Sequence, residues 1–173
     1  MDNTTLWVAL LTAATAVGAS WVTNRGNAQA ARIQTRAAAE AAHTARGREA
    51  RRTTHLDFIE QANDMRILYL RIPKYFKVED AESRLASLAD LRDQLRDSYR
   101  PFLRSLAVVS LECHSGPIAA AKAVHAASGE AYGRLAAAEE DVREAEGFLR
   151  ALDAYRASVD SFIEAARQAE RET

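Results

Sequence analysis

The chain has few of the residues that interrupt helices, with seven glycines and three prolines in 173 residues. Long stretches of Ala, Leu, Glu and Arg take their place, and no strand-like alternation is present, so helix is expected nearly throughout. A single cysteine, Cys113, excludes an intramolecular disulfide framework and suits a reducing compartment. Lysine is nearly missing too: Lys74, Lys77 and Lys122 are the only ones among 23 basic residues. Nor is there a surplus of either charge. A formal net charge of -1 leaves no whole-molecule footprint for nucleic acid. What remains is 48% apolar and 27% charged, which supplies a core for one ordinary domain and is too apolar for a disordered chain.

Residues 6–22 contain no charge and, with the threonines that flank them, reach the length needed to cross ~30 Å of hydrocarbon as a helix. Leu6, Leu10, Leu11 and Val17 favour insertion, while Thr12, Thr15, Gly18 and Ser20 oppose it. Trp7 and Trp21 fall near the two ends, about 21 Å apart at 1.5 Å per residue, where indole rings would sit at the two interfaces. A secretory signal peptide needs basic residues before its apolar run, and Asp2 is the only charge there. Val17-Gly18-Ala19 does have the form of a cleavage site, and a soluble Ala-rich helix is the other alternative to an anchor. After the run come Arg25, Arg32 and Arg36, then Arg46, Arg48, Arg51 and Arg52, opposed by Glu40 and Glu49. By the positive-inside rule this asymmetry predicts a single-pass inner-membrane anchor, its N-terminus outside and its C-terminal bulk cytoplasmic. Ala14 and Gly18 form a small-xxx-small pair, a weak signal in so Ala-rich a segment.

Residues 24–55 hold seven Arg against two Glu, and Ile33 is nearly the only large apolar residue. Such a segment is helical by propensity but has no face to bury, which predicts a basic juxtamembrane stalk. Arg25, Arg32 and Arg36 would meet anionic lipid, at about 1 kcal/mol each near the surface. A nucleic-acid arm would interleave aromatic residues for stacking, and none is present.

Apolar periodicity returns at Leu56. Phe58, Ala62, Met65, Tyr69 and Ile72 form one stripe, which Pro73 ends. Asp80 is a candidate N-cap for a second helix, whose stripe is Leu88, Leu91, Leu95, Phe102, Leu106 and Val109. Pro101 interrupts that stripe, so a bend or short break is expected around residues 99–101, but the pattern continues past it and predicts one bent element. In "CHSGPI", Ser115 or Gly116 can cap a third helix and Pro117 suits its first position. Ala120, Val124, Ala127, Ala131, Leu135, Ala138 and Val142 give that helix a narrow small-residue face. The fourth stripe is Phe148, Leu152, Tyr155, Val159, Phe162 and Ala166, at heptad-like steps. Asp141-Val-Arg-Glu144 has capping-box form and Gly147 is a breaker, which places a turn between residues 133 and 147. One unbroken helix over 117–171 is the alternative. The fold class expected is all-α: an anchor at 1–23, a stalk at 24–55, and an antiparallel bundle of about four helices at 56–173.

No catalytic constellation emerges, and no cofactor or metal is expected. Cys113 and His114 with His125 could begin a thiolate or zinc site, yet adjacent residues on a helix diverge by about 100 degrees and a fourth ligand is missing. Glu40 and His43 have the Glu-x-x-His spacing of a di-iron ligand pair, without the second copy such a site needs. Asp57, Glu60 and Asp64 share a face that reads as solvated and acidic rather than as a cation site.

The short Trp-containing span, the "NRGNAQAARIQ" after it, and "YRPFLRSLAVVSLECHSGPI" downstream resemble small actinobacterial membrane-anchored helical proteins. That resemblance covers most of the chain and implies the anchor and the bundle, with no assigned activity. The function expected is a non-enzymatic membrane scaffold or interaction module that meets membrane lipid and a second copy or a helical protein, not nucleic acid. The alternative is a signalling bundle coupled to the membrane through its stalk, and a thiol- or metal-dependent enzyme comes third.

Overall fold

The computed structural model describes the backbone of residues 3–172, and the side chains of Trp7, Thr15, Gln29 and residues 31–172 except Val142. Among these residues are four α-helices and no strand: α1 (Asn3–Arg71), α2 (Ala81–Glu112), α3 (Ser115–Glu140) and α4 (Ala145–Arg171). Turns of 3-10 helix at Ile72–Lys77 and Val142–Glu144 complete the order. The chain divides into two compact units, Met1–Gly47 and Arg48–Thr173.

In the first unit, residues 31–46 are exposed except for half-buried Ala42. Ala and Arg hold the helix by propensity, and the Thr35 and Thr44 hydroxyls donate to the Ala31 and Glu40 carbonyls at 2.8 and 3.0 Å. With so few large apolar residues there is nothing for this stretch to bury.

In the second unit every member of the first stripe is buried: Phe58, Ala62, Met65, Tyr69 and Ile72. Burial begins a turn earlier than the stripe, because Thr54 and His55 are enclosed as well. The helix gives way to a 3-10 turn at Ile72, just before Pro73, whose ring cannot continue the ladder. Asp80 caps α2, its carboxylate accepting from the Ser83 N–H at 2.8 Å. Leu88, Leu91, Leu95, Phe102 and Val109 are buried, and Leu106 is half-buried. As the continuing stripe predicts, α2 is one element that runs through Pro101 without a break. Leu95 before the proline and Phe102 after it are seated in one core, and that packing outweighs one lost backbone bond.

The α2–α3 junction also differs in detail from the sequence reading. His114, not Ser115 or Gly116, is the N-cap of α3, and its carbonyl accepts from Ile118 N–H at 3.2 Å. Pro117 is therefore third in the helix, still within the first turn, where an N–H has no intrahelical acceptor. The α3–α4 turn falls within the expected window and excludes one helix over 117–171. Asp141 closes α3. Its carboxylate takes the Arg143 N–H and its carbonyl the Glu144 N–H, both at 2.9 Å, so it makes an Asx-type turn rather than the capping box.

Side-chain pairs between helices show that α2 runs antiparallel to α1 and α3 antiparallel to α2. Between α1 and α2, Thr54 meets Glu112 while Arg71 meets Gln94. Between α2 and α3, Arg92 meets Glu139 while Tyr99 meets His125. Helix α4 returns along α1: Phe162 packs on Phe58, the Tyr155 hydroxyl donates to the Ala62 carbonyl at 2.7 Å, and Phe148 packs on Tyr69.

Gly133 lies exposed in the interior of α3, and a Cβ there would meet nothing within 4 Å. Gly133→Ala is expected to raise stability by about 0.5–1 kcal/mol, since glycine gives up more backbone freedom in a helix. Denaturant midpoints of the two proteins, compared at equal slope, check this.

Candidate functional site

Of the residues expected in the anchor, Leu6, Leu10, Leu11, Val17 and Trp21 have side chains outside the described residues, and so does Arg25. Trp7 is 66% exposed, and Arg32 and Arg36 lie on the exposed part of α1. Among the described residues no helix is long and apolar enough to cross a membrane.

The reactive side chains singled out in the sequence are not gathered into one site. Cys113 is half-buried at the end of α2, and burial, joined by Glu112, pushes its thiol pKa up while Arg51 opposes. A thiol held in its protonated form is a poor nucleophile. His114 is exposed at the start of α3. His125 faces α2 instead, where its Nε2 lies 2.8 Å from the Tyr99 hydroxyl and its ring stacks beside Tyr99 and Phe102. Glu40 and His43 are exposed, as are Asp57, Glu60 and Asp64. Among the described residues no group of three or more His, Cys, Asp or Glu could hold a metal ion.

Two concavities of the bundle do bring chemistry together. The larger, about 290 Å³, opens between α1, α2 and α3. Met65 and Tyr69 come from α1, Leu95 and Tyr99 from α2, and Gly129 and Tyr132 from α3. Its inner wall is fixed by Tyr69, which is fully buried and donates its hydroxyl proton to the Ser128 carbonyl at 3.0 Å, with Ser128 Oγ 3.2 Å away. Desolvation pushes the Tyr69 pKa up to about 12, so the phenol stays protonated and the bond intact at neutral pH. Arg96, held to Asp93 at 2.9 Å, is the charged group in the lining.

The second concavity, about 210 Å³, lies where residues 48–55 of α1, the α2–α3 junction and the end of α4 meet. Arg48, Arg51 and Arg52 line it with Glu49 and Glu170, and His55 and His114 close it. His55 is 3% exposed. Its Nδ1 is 3.7 Å from Glu170, beyond hydrogen-bond distance, and neither ring nitrogen has a hydrogen-bond partner among the described residues. These arginines belong to the segment expected as a solvated stalk, and instead line this end of the bundle. The signal was there: His55 precedes Phe58 by three residues, one more step of the same stripe.

No family model matches this chain, and neither a curated protein nor a solved structure matches it.

Burial lowers the His55 pKa below the ordinary 6.5; Glu170 opposes that shift, and Arg51 and His114 add to it. The unfolded chain thus takes up this proton first as pH falls. Stability from His55 is complete above about pH 6.5 and is lost as pH drops from there through the lowered folded value. Denaturation at about pH 7.5 and about pH 5.5 should show a loss that is smaller in His55→Phe, whose ring carries no proton.

Proposed function

We propose that this protein is a single-pass inner-membrane protein whose C-terminal bundle is a non-enzymatic interaction module on the cytoplasmic face. The anchor reading is supported by the uncharged run of residues 6–22, preceded by Asp2 and followed by the arginine series. A non-enzymatic role is favoured by how the bundle uses its polar side chains: Tyr69, Tyr155 and His125 each spend their hydrogen bonds on packing.

The observation that carries the interaction reading is three large apolar residues on the outer face of α1, with Asn63 among them and Glu60 at the border. Leu56, Ile67 and Leu70 are 56%, 56% and 48% exposed. At 3.6 residues per turn they lie within an arc of about 60 degrees, opposite the buried stripe of Phe58, Met65 and Tyr69. Large apolar side chains aligned on one exposed helix face suit a second helix, and the occupant that fits is α1 of a second copy, held parallel when both are anchored in one membrane. The detergent-solubilised full chain should sediment as a dimer, and the triple variant Leu56→Ser, Ile67→Ser, Leu70→Ser as a monomer with unchanged helix content. A full chain that stays monomeric at every concentration would overturn self-association through this face.

A further inference from the structure

From the concavity where residues 48–55 of α1, the α2–α3 junction and the end of α4 meet, we infer a site for a phosphate dianion. It is held by Arg51 and Arg52 over the His55 ring, either free or as the phosphate ester of a larger molecule. Helical spacing gathers the donors. At 3.6 residues per turn Arg48, Arg51, Arg52 and His55 fall within an arc of about 100 degrees on α1, and all four line the space. Like charges three and four residues apart on a helix repel, and a bound anion relieves that repulsion.

The guanidiniums are not consumed elsewhere. Among the described residues neither Arg51 nor Arg52 makes an ion pair or a side-chain hydrogen bond, whereas Arg92, Arg96 and Arg134 are each held by a carboxylate. Glu49 and Glu170 line the space too, yet three guanidiniums against two carboxylates leave it net positive before either imidazole takes a proton. The mouth is open: Arg48, Arg52 and His114 are exposed, and Arg51 is half-buried.

The floor supplies an independent observation. His55 is 3% exposed, and neither ring nitrogen has a hydrogen-bond partner among the described residues. A buried donor left without an acceptor weakens a fold, and few native groups are left so. The Glu170 carboxylate stands 3.7 Å from Nδ1, too far to accept its proton, and at 48% exposure that side chain can turn outward. An oxyanion seated there instead gives both the ring and the guanidiniums an acceptor.

Size and donor number select the ligand. About 210 Å³ is less than the roughly 300 Å³ at which pockets for drug-sized ligands begin, so the space takes a phosphoryl group and leaves any attached organic part outside. At neutral pH a phosphoryl group carries about two negative charges and several acceptor oxygens, which match more than one guanidinium fork better than a single carboxylate does.

The four histidines are the reporters, because His55 and His114 line the space and His43 and His125 do not. Full-length detergent-solubilised protein labelled in its histidine rings would be titrated at constant pH and ionic strength with inorganic phosphate and, separately, with soluble dihexanoyl phosphatidate. We expect the His55 and His114 signals to shift saturably while His43 and His125 stay still. Either probe supports the site: tighter binding of inorganic phosphate assigns a free anion, and tighter binding of the phosphatidate assigns a lipid headgroup. Arg51→Gln should weaken binding about tenfold, and Arg36→Gln, the same loss of charge outside the lining, should leave it unchanged. Glu170→Gln, which removes the competing carboxylate, should tighten it several-fold. Should Arg51→Gln lose helix content, Arg52→Gln decides in its stead: this exposed change should weaken binding several-fold. Signals that saturate with neither probe, or that move together at all four histidines, overturn the site. Equal affinity of the arginine variant and the parent overturns it as well.

Discussion

Phe162→Ala is expected to destabilise the bundle by about 3–5 kcal/mol, a large share of the ~5–15 kcal/mol that holds a typical domain. Phe162 is fully buried, with its ring centroid 4.5 Å from that of Phe58, which in turn lies 5.5 Å from Phe102. One aromatic layer thus joins α4, α1 and α2. The edge of the His55 ring contributes from above, 6.1 Å from Phe162. Truncation removes the transfer free energy of the ring and leaves a void that three helices cannot close together, because each is held by other layers. Phe162→Leu keeps most of the volume and should lose much less. Urea denaturation monitored by helix content reads both; equal midpoints for Phe162→Ala and the parent would mean that this layer is not packed as described.

Ala131→Leu should cost about 1–3 kcal/mol by the opposite route, too much volume rather than too little. Ala131 is fully buried on the face of α3 that also carries Ala121, Val124, Leu135 and Ala138. Small side chains on that face let α3 and α4 lie close along their lengths, and the tight Asp141 turn joins them. Leucine and alanine are both strong helix formers, so propensity predicts almost no change. The loss expected is steric. Gly129, two positions earlier on the same helix, is the internal control: alanine there meets open space and should stabilise. Opposite signs at positions 129 and 131 would locate the tight face and the open one on α3.

Much of this bundle was legible because its helices bury single stripes at helical spacing. The first and fourth stripes, Phe58 to Ile72 and Phe148 to Ala166, are buried at every position named from periodicity. Caps were harder. Asp80 caps as its residue type predicts, but at "CHSGPI" three consecutive residues can start a helix, and His114 does so without a side-chain cap bond. At Pro101 the continuing stripe showed one element, although the packing that absorbs the proline's local cost is not visible in sequence. The two concavities were invisible for a related reason: each combines residues from three helices separated by tens of positions, and no local pattern marks such a meeting. His55 is the exception, an imidazole in register with an apolar stripe, and so a polar group destined for burial.

The anchor separates a membrane-tethered interaction module from a free bundle. The direct test is fractionation of cells expressing the full chain or a version lacking residues 1–23, followed by high-salt and alkaline washes of the membranes. The full chain should remain in the washed membranes, and the shortened one should appear in the soluble fraction with its helix content retained. A full chain found in the soluble fraction would contradict the proposal and turn residues 6–22 into a helix that packs against protein instead of lipid.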